Sequence, residues 1–395
     1  MPKLTPEKTY QYALYSLAFT LSFPYYLFPI SLVLISITAL RLRFIEKNWK
    51  FFKPLVFLYL ALFAYIVIRI IGNNNVHYGF HVLERNLPLL IIPLLLIPKK
   101  MGSQKIFLKV FVLGISLAGI ITLSGTIYDQ ISGRSVALKW YYDSFYTYGF
   151  HPTYMAMYAL VAIIMLSYRR LFSQRITLAL KAFLSLFVLI SASRIAIIFL
   201  LIMGIYRIIA KRDRFFIYAI SAIFLVLVGM FNFSSDFRLK INELKNFDGF
   251  THYDNDNYGS VSVRVAKIKA SVMIWEEHKW FGVGTGDYLD ALEKKYRSQS
   301  IQCWPCAKKR YNSHNQYLNT LVSHGLAGFA LFFLIGGYLL FIAWRTQNKM
   351  LIGIILVFAT VSLTESILEV RRGIYIVFLL LYYLPLINSF KKNDA

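Results

Sequence analysis

Long apolar runs that lack acidic residues recur along the chain. Examples are "PLLIIPLLLIP", "RIAIIFLLIMGIYRIIA" and "GLAGFALFFLIGGYLLFIAW". These runs reach or approach the ~20 residues that a helix needs to cross a bilayer. Their apolar positions are continuous rather than alternating, which disfavours the strands of a membrane barrel. The pattern therefore predicts an all-α polytopic membrane protein.

The runs predict about 12 transmembrane helices. We place them near residues 10–23, 24–40, 51–71, 86–98, 105–124, 151–168, 175–191, 194–210, 214–231, 317–344, 350–366 and 373–389. The first apolar stretch is too long for a signal peptide, and we expect it to break near Pro24 and Pro29. No linker divides the chain, so we expect one membrane domain over residues 1–395, with a large outer loop at 232–313.

Two amphipathic helices are expected in this outer loop. The segment "VSVRVAKIKASVMIWEEHKW" (261–280) has apolar residues at near-helical spacing, and "FGVGTGDYLDALEKKY" adds a glycine-rich turn and a second helix. The turn neither follows a strand nor contains "GKS" or "GKT", so it does not predict nucleotide binding. Cys303 and Cys306 fit a disulfide, a redox pair or half of a zinc site, and we favour a structural or incidental pair.

The net charge of +24 raises the question of nucleic acid. The basic residues, however, cluster in short segments between apolar runs and recur at every second loop, as the positive-inside rule requires. This distribution predicts no nucleic-acid partner. It places both termini and the Arg207–Arg214 loop in the cytoplasm, and residues 232–313 outside.

Candidate chemistry collects at the outer ends of the predicted spans, whereas the spans themselves hold few ionisable residues. This distribution disfavours a transporter, which needs polar groups along a path through the membrane. Arg194 opens a helix and suits anion binding, although an arginine there is also a common membrane anchor. His314 stands in "YNSHNQY" at a span entrance, where it fits either a general base or a helix cap. Arg371 and Arg372 lie beside Glu365 and Glu369 and could simply pair with them.

Three segments in order resemble the O-antigen ligase and O-antigen polymerase superfamily. They are "SASRIAIIFLLIMGI" (191–205), "VRVAKIKASVMIWEEHKWFGVGTGDY" (263–288) and "SHNQYLNTLVSHGLAGFALFF" (313–333). The chain departs from the family pattern at Ile268, near a position where relatives often carry an aromatic residue.

The resemblance implies glycan transfer on the periplasmic face of the bacterial inner membrane. The donor would be a glycan on undecaprenyl diphosphate, and the acceptor a hydroxyl of lipid A-core or, for a polymerase, of another lipid-linked glycan. His314 would accept the proton, and Arg194 and Arg264 would hold the diphosphate. We further expect Asn315, Arg371 and Arg372 to bind substrate, and we expect no metal and no cofactor. Of the two activities we favour the ligase.

Overall fold

The computed structural model describes residues 5–23, 27–47, 53–98, 100–132, 148, 151–221, 224 and 260–391. These residues form helices and no strands. The helices are α1 (Pro6–Thr20), α2 (Leu27–Glu46), α3 (Lys53–Ile68), α4 (Val76–Asn86), α5 (Pro88–Leu95), α6 (Gln104–Ile131), α7 (Pro152–Tyr168), α8 (Gln174–Ile190), α9 (Arg194–Lys211), α10 (Ser260–Glu277), α11 (Tyr288–Arg297), α12 (Trp304–Lys308), α13 (Gln316–Arg345), α14 (Lys349–Val361) and α15 (Arg371–Lys391). Residues 214–221 are also helical.

The helices agree with a membrane protein. In the described part of the chain α2, α6 and α13 are long and apolar enough to cross a bilayer, and α3, α7 and α14 are shorter apolar helices. Large apolar side chains such as Ile30, Val33 and Ile37 are exposed along α2, as expected of a surface that faces lipid. The number of twelve spans stays a prediction.

Three details differ from the predicted spans. The first apolar stretch divides into α1 and α2 as expected, but the division lies before Pro29. Pro29 is inside the first turn of α2, where a missing N–H leaves no bond unmade. The helix α6 continues to Ile131, into the stretch expected to be an outer loop. The predicted span 86–98 holds only the eight-residue α5, which at 1.5 Å per residue covers about 12 Å and cannot cross alone.

The core is built around α7, which is buried on every side from Pro152 to Leu166. A helix that is apolar all round belongs in the centre of a bundle, and α7 contacts α6, α8, α9 and α14. Because α7 begins at His151, its central position brings that residue to the middle of one end of the bundle.

Charged groups gather at the opposite end of the bundle and join its helices there. Lys100 pairs with Glu7 at 3.0 Å and with Glu46 at 3.1 Å. Asp213 pairs with Arg207 at 2.9 Å and with Lys181 at 3.7 Å. These pairs hold the ends of α1, α2, α8 and α9 that lie farthest from His314.

A glycine-rich loop fastens α10 and α11 to α13. Backbone N–H groups of Val283 and Gly284 donate to the carbonyls of Val322 and Ser323 at 2.9 and 3.0 Å. They meet α13 just before Gly325, where φ is 63° and the helix kinks. The N–H groups of the loop are thus used within the protein, in agreement with a turn rather than a phosphate-binding loop.

The predicted outer loop is described from residue 260 onward, and residues 232–259 lie outside the described part. The two expected helices are present as α10 and α11. A disulfide joins Cys303 and Cys306, whose Cα atoms are 5.3 Å apart. Both cysteines are fully buried, so the pair is a structural one, as favoured from the sequence.

Candidate active site

His314 lies at the entrance of α13, held there by the chain on both sides. Its φ is 44°, an unusual value for a residue with a Cβ, and its N–H donates to Asn312 Oδ1 at 3.0 Å. The next residue, Asn315, caps α13 by accepting from the N–H groups of Tyr317 and Leu318. Its amide donates to the Leu363 carbonyl at 3.0 Å. Asn315 therefore fixes the start of the helix, and its role in substrate binding stays a prediction.

Glu365 faces His314 from the turn that follows α14. The Glu365 Oε2 atom lies 3.8 Å from His314 Nδ1, which is an ion-pair distance once the imidazole is protonated. Burial raises the pKa of the Glu365 carboxyl to about 7, although the charges of Arg264 and Lys267 act in the opposite direction. Burial lowers the pKa of His314 to about 3, with further lowering from Lys267, His151 and Arg264. His314 is thus neutral near pH 7 and able to accept a proton.

Two cations reach this pair from α10. Arg264 and Lys267 are three residues apart and so lie on one face of the helix, and both influence the pKa of His314 and of Glu365. Arg264 is exposed, whereas Lys267 is only 5% exposed. One turn further along, Ser271 Oγ donates to Ser313 Oγ at 2.9 Å, which ties α10 to the segment before His314.

A cavity of about 700 Å³ opens beside His314. Its polar wall carries His151, Asn312, His314, Glu365, Glu369, Arg85, Arg371 and Arg372, and its apolar wall carries Leu21, Phe28, Pro29, Leu32, Val370, Tyr154, Tyr158 and Tyr375. The apolar residues come largely from α2 and α7, and the others lie at the end of α1 and at the start of α15. The same cavity therefore has a charged region next to His314 and an apolar region between helices.

Glu369 organises the far polar wall. Its carboxylate accepts from Tyr288 Oη at 2.6 Å and from Asn319 Nδ2 at 3.1 Å. It also pairs with Arg85 at 3.2 Å, and Arg85 donates to Tyr78 Oη at 3.0 Å. These contacts fasten α4, α11 and α13 to the 3₁₀ turn Ile367–Glu369, so the wall is held rigidly against the cavity.

The other predicted arginines take different places. Arg371 and Arg372 line the cavity; Arg371 pairs with exposed Glu84 at 2.6 Å, and Arg372 donates to the Phe23 carbonyl. Their predicted pairing with Glu365 and Glu369 is not what the structure shows. Arg194 is exposed at the start of α9. The residues that line the cavity include neither Arg194 nor the two cations of α10, Arg264 and Lys267.

The structure thus brings His314, Arg264, Arg371 and Arg372 to one end of the bundle, and adds residues that sequence reasoning missed. His151 and Lys267 were not singled out, and Glu365 and Arg85 were not assigned to the site. The sequence offers a signal only for Lys267, which lies three residues from Arg264. His151, Glu365 and Arg85 come from distant segments. Within the described residues, no three His, Cys, Asp or Glu side chains gather in a way that could hold a metal ion.

The comparison with protein families identifies the central part of the chain. Residues 179–333 match the family Wzy_C, described as O-antigen ligase. No curated protein matches the chain. The match runs from α8 into α13 and includes Arg194, Arg264, Lys267 and His314, whereas His151, Glu365 and both arginines of α15 lie outside it. It supports glycan transfer of the ligase or polymerase type, in agreement with the resemblance to the O-antigen ligase superfamily.

Proposed function

We propose that the chain is a glycan ligase that transfers a sugar chain from undecaprenyl diphosphate to a hydroxyl of a lipid A-core acceptor. The observation that carries this proposal is the cavity that places His314 between cations and an apolar wall. A polyprenyl-diphosphate donor has the same two characters. Its diphosphate suits the cations around His314, and its prenyl chain suits the apolar wall that comes mainly from α2 and α7.

In the proposed reaction, the acceptor hydroxyl attacks the anomeric carbon of the donor sugar. The bond from that carbon to the phosphate oxygen breaks, and the electron pair leaves with the diphosphate. His314 takes the hydroxyl proton on Nε2 as general base. The Glu365 carboxylate faces Nδ1 and stabilises the imidazolium that results. Arg264 and Arg194 would bind the diphosphate, since guanidinium forks remain charged and bind phosphate oxygens in pairs. We propose that no metal is needed, because these cations offset the charge that develops on the leaving group.

We propose that the site faces the periplasm from the inner membrane. Basic clusters in alternate loops support this orientation. The buried disulfide in the same outer segment supports it as well, because disulfides persist in oxidising compartments.

The deciding experiment uses the purified protein with a lipid-linked glycan as donor and two acceptors offered separately. A ligase transfers the glycan to lipid A-core and leaves a lipid-linked acceptor unextended. Extension of the lipid-linked acceptor alone would instead make the protein a polymerase. In cells, deletion of a ligase leaves full-length chains unattached, whereas deletion of a polymerase leaves single repeat units on the core.

A further inference from the structure

Lys267 is a buried lysine that has no ion-pair partner among the described residues. It is 5% exposed, and among the described residues no carboxylate oxygen lies within 4.0 Å of its ammonium. Its contact is with an aromatic ring: Nζ lies 3.7 Å from the centroid of Tyr311. Buried lysines are rare unless they are paired, so this residue calls for a reason beyond packing.

The charges around Lys267 make its position still less favourable. Arg264 on the same helix and Lys309 on the adjoining segment both disfavour its protonation, and Glu365 alone favours it. Lys267 in turn lowers the pKa of His314, on which His151 acts in the same direction. A cation–π contact is worth about 0.5–2 kcal/mol, which is small beside the desolvation of an unpaired ammonium. The surroundings of Lys267 therefore favour either a neutral amine or a bound anion.

We propose that Lys267 is a third ligand for the diphosphate of the donor and that it gains a proton when the diphosphate binds. This inference rests on the proposed function, since it names a further residue of the same site. Lys267 stands three residues from Arg264 on one face of α10, so the two side chains can approach one phosphate group together. The ammonium would leave the Tyr311 ring and donate to phosphate oxygens.

The sign of the proton uptake follows from the environment of the amine. Burial lowers the pKa of Lys267 to about 7, with further lowering by Arg264. A bound diphosphate stabilises the ammonium and raises that pKa. Between the two values the empty site holds a neutral amine and the occupied site holds a cation, so binding takes up protons above about pH 7 and takes up few below about pH 6.

The same binding event would make His314 a stronger base. In the empty site, the charge of Arg264 lowers the pKa of His314, and Lys267 does the same where it is protonated. Phosphate oxygens placed between these cations and the imidazole offset that effect. His314 then becomes fully basic only while the donor is in place, which links proton transfer to a loaded site.

Calorimetric titration of the purified full-length protein with undecaprenyl diphosphate, without acceptor, tests the proposal. Titrations at pH 8 in two buffers of different ionisation enthalpy give the number of protons taken up. We expect net uptake for the parent protein and none with undecaprenol. In Lys267→Met, we expect Kd to rise about 10- to 100-fold, the loss of one charged hydrogen bond, and the uptake to fall. Lys267→Arg should bind well with reduced uptake, because arginine is already charged.

Lys308→Met is the matched control, since Lys308 is an exposed lysine of the same outer segment. It should leave both the affinity and the uptake close to those of the parent. A Lys267→Met protein that matches the parent in affinity and proton uptake would overturn the role of Lys267 alone. A parent protein that does not bind undecaprenyl diphosphate would instead overturn the proposed function. Thermal melts of each variant separate these results from misfolding, and removing a buried unpaired charge should not lower the melting temperature.

Discussion

At the scale of single residues, the structure adds Glu365 to the site that the sequence predicts around His314. The sequence suggested only a pairing of Glu365 with the arginines of α15, whereas the carboxylate stands 3.8 Å from His314. His314 itself could be predicted, because a polar run at the mouth of an apolar one is visible in the sequence. Its partner could not, because residues 314 and 365 meet only through the packing of α13 against α14.

Glu365→Gln tests this partnership through the pH dependence of the rate. The charged carboxylate is needed to stabilise the imidazolium, and burial raises its pKa to about 7, so the parent's kcat at saturating donor should rise as the pH rises through the neutral range. Glu365→Gln should lose this rise. It should also turn over more slowly, by less than the ~10²–10⁴ that a general base contributes. Glu276→Gln, on an exposed position of α10, should keep the parent's profile.

The same substitution has a predictable effect on stability. The folded-state pKa of Glu365 is raised, so ionisation weakens folding as the pH rises from about 4.5 to about 7. Glutamine does not ionise, so Glu365→Gln does not lose folding stability over this pH range. The melting temperature of Glu365→Gln minus that of the parent should therefore be higher at pH 8 than at pH 5. If the difference in melting temperature between Glu365→Gln and the parent is the same at pH 5 and at pH 8, the pKa of Glu365 is not raised in the folded state.

At the scale of elements, the apolar runs predict most of the helices. They do not predict the clamp, the contact between the glycine-rich loop before α11 and helix α13. The predicted start of the tenth span at residue 317 agrees with α13, which begins at Gln316. The "GLAG" sequence at residues 325–328 is, however, typical of a small-residue packing contact between helices. Gly325 instead adopts φ 63° against the chain near Trp280, a contact over more than forty residues that no local pattern reveals.

Gly325→Ala should therefore destabilise the protein. A Cβ at this position would meet the backbone of Trp280, Phe281 and Gly282, and the strained backbone alone costs about 1–3 kcal/mol. Gly336→Ala is the matched control, because it lies on the same helix with open space around the added atom. Thermal unfolding in detergent should show a lower melting temperature for Gly325→Ala and an unchanged or slightly higher one for Gly336→Ala. Equal melting temperatures would contradict the proposed clamp.

At the scale of the whole molecule, the two ends of the bundle differ in kind. Ion pairs such as Lys100–Glu7 and Arg207–Asp213 lock one end, whereas the other holds the cavity. The sequence predicts this polarity through its alternating basic clusters. It does not predict the cavity, because the lining is assembled from α1, α2, α4, α7 and α15 together with the turns beside α13 and α14.

Single cysteines at the two ends test the orientation. Lys308→Cys lies near the site end and Gln347→Cys at the far end of α13, and both positions are exposed. The native cysteines are buried in a disulfide and should stay silent without reductant. With a permeabilised outer membrane and an intact inner one, an impermeant maleimide should label Lys308→Cys and spare Gln347→Cys. The reverse pattern would place the site in the cytoplasm.

The central claim is that His314 accepts the acceptor proton in a site whose cations bind the donor, and one comparison tests it most directly. Transfer and donor affinity are measured separately for purified His314→Ala, with His77→Ala, an exposed histidine on α4, as control. We predict that His314→Ala loses about 10²–10⁴ in rate, that its affinity for undecaprenyl diphosphate is kept, and that His77→Ala resembles the parent. A His314→Ala enzyme that turns over within a few-fold of the parent would contradict the claim and leave His314 as a residue that only shapes the start of α13.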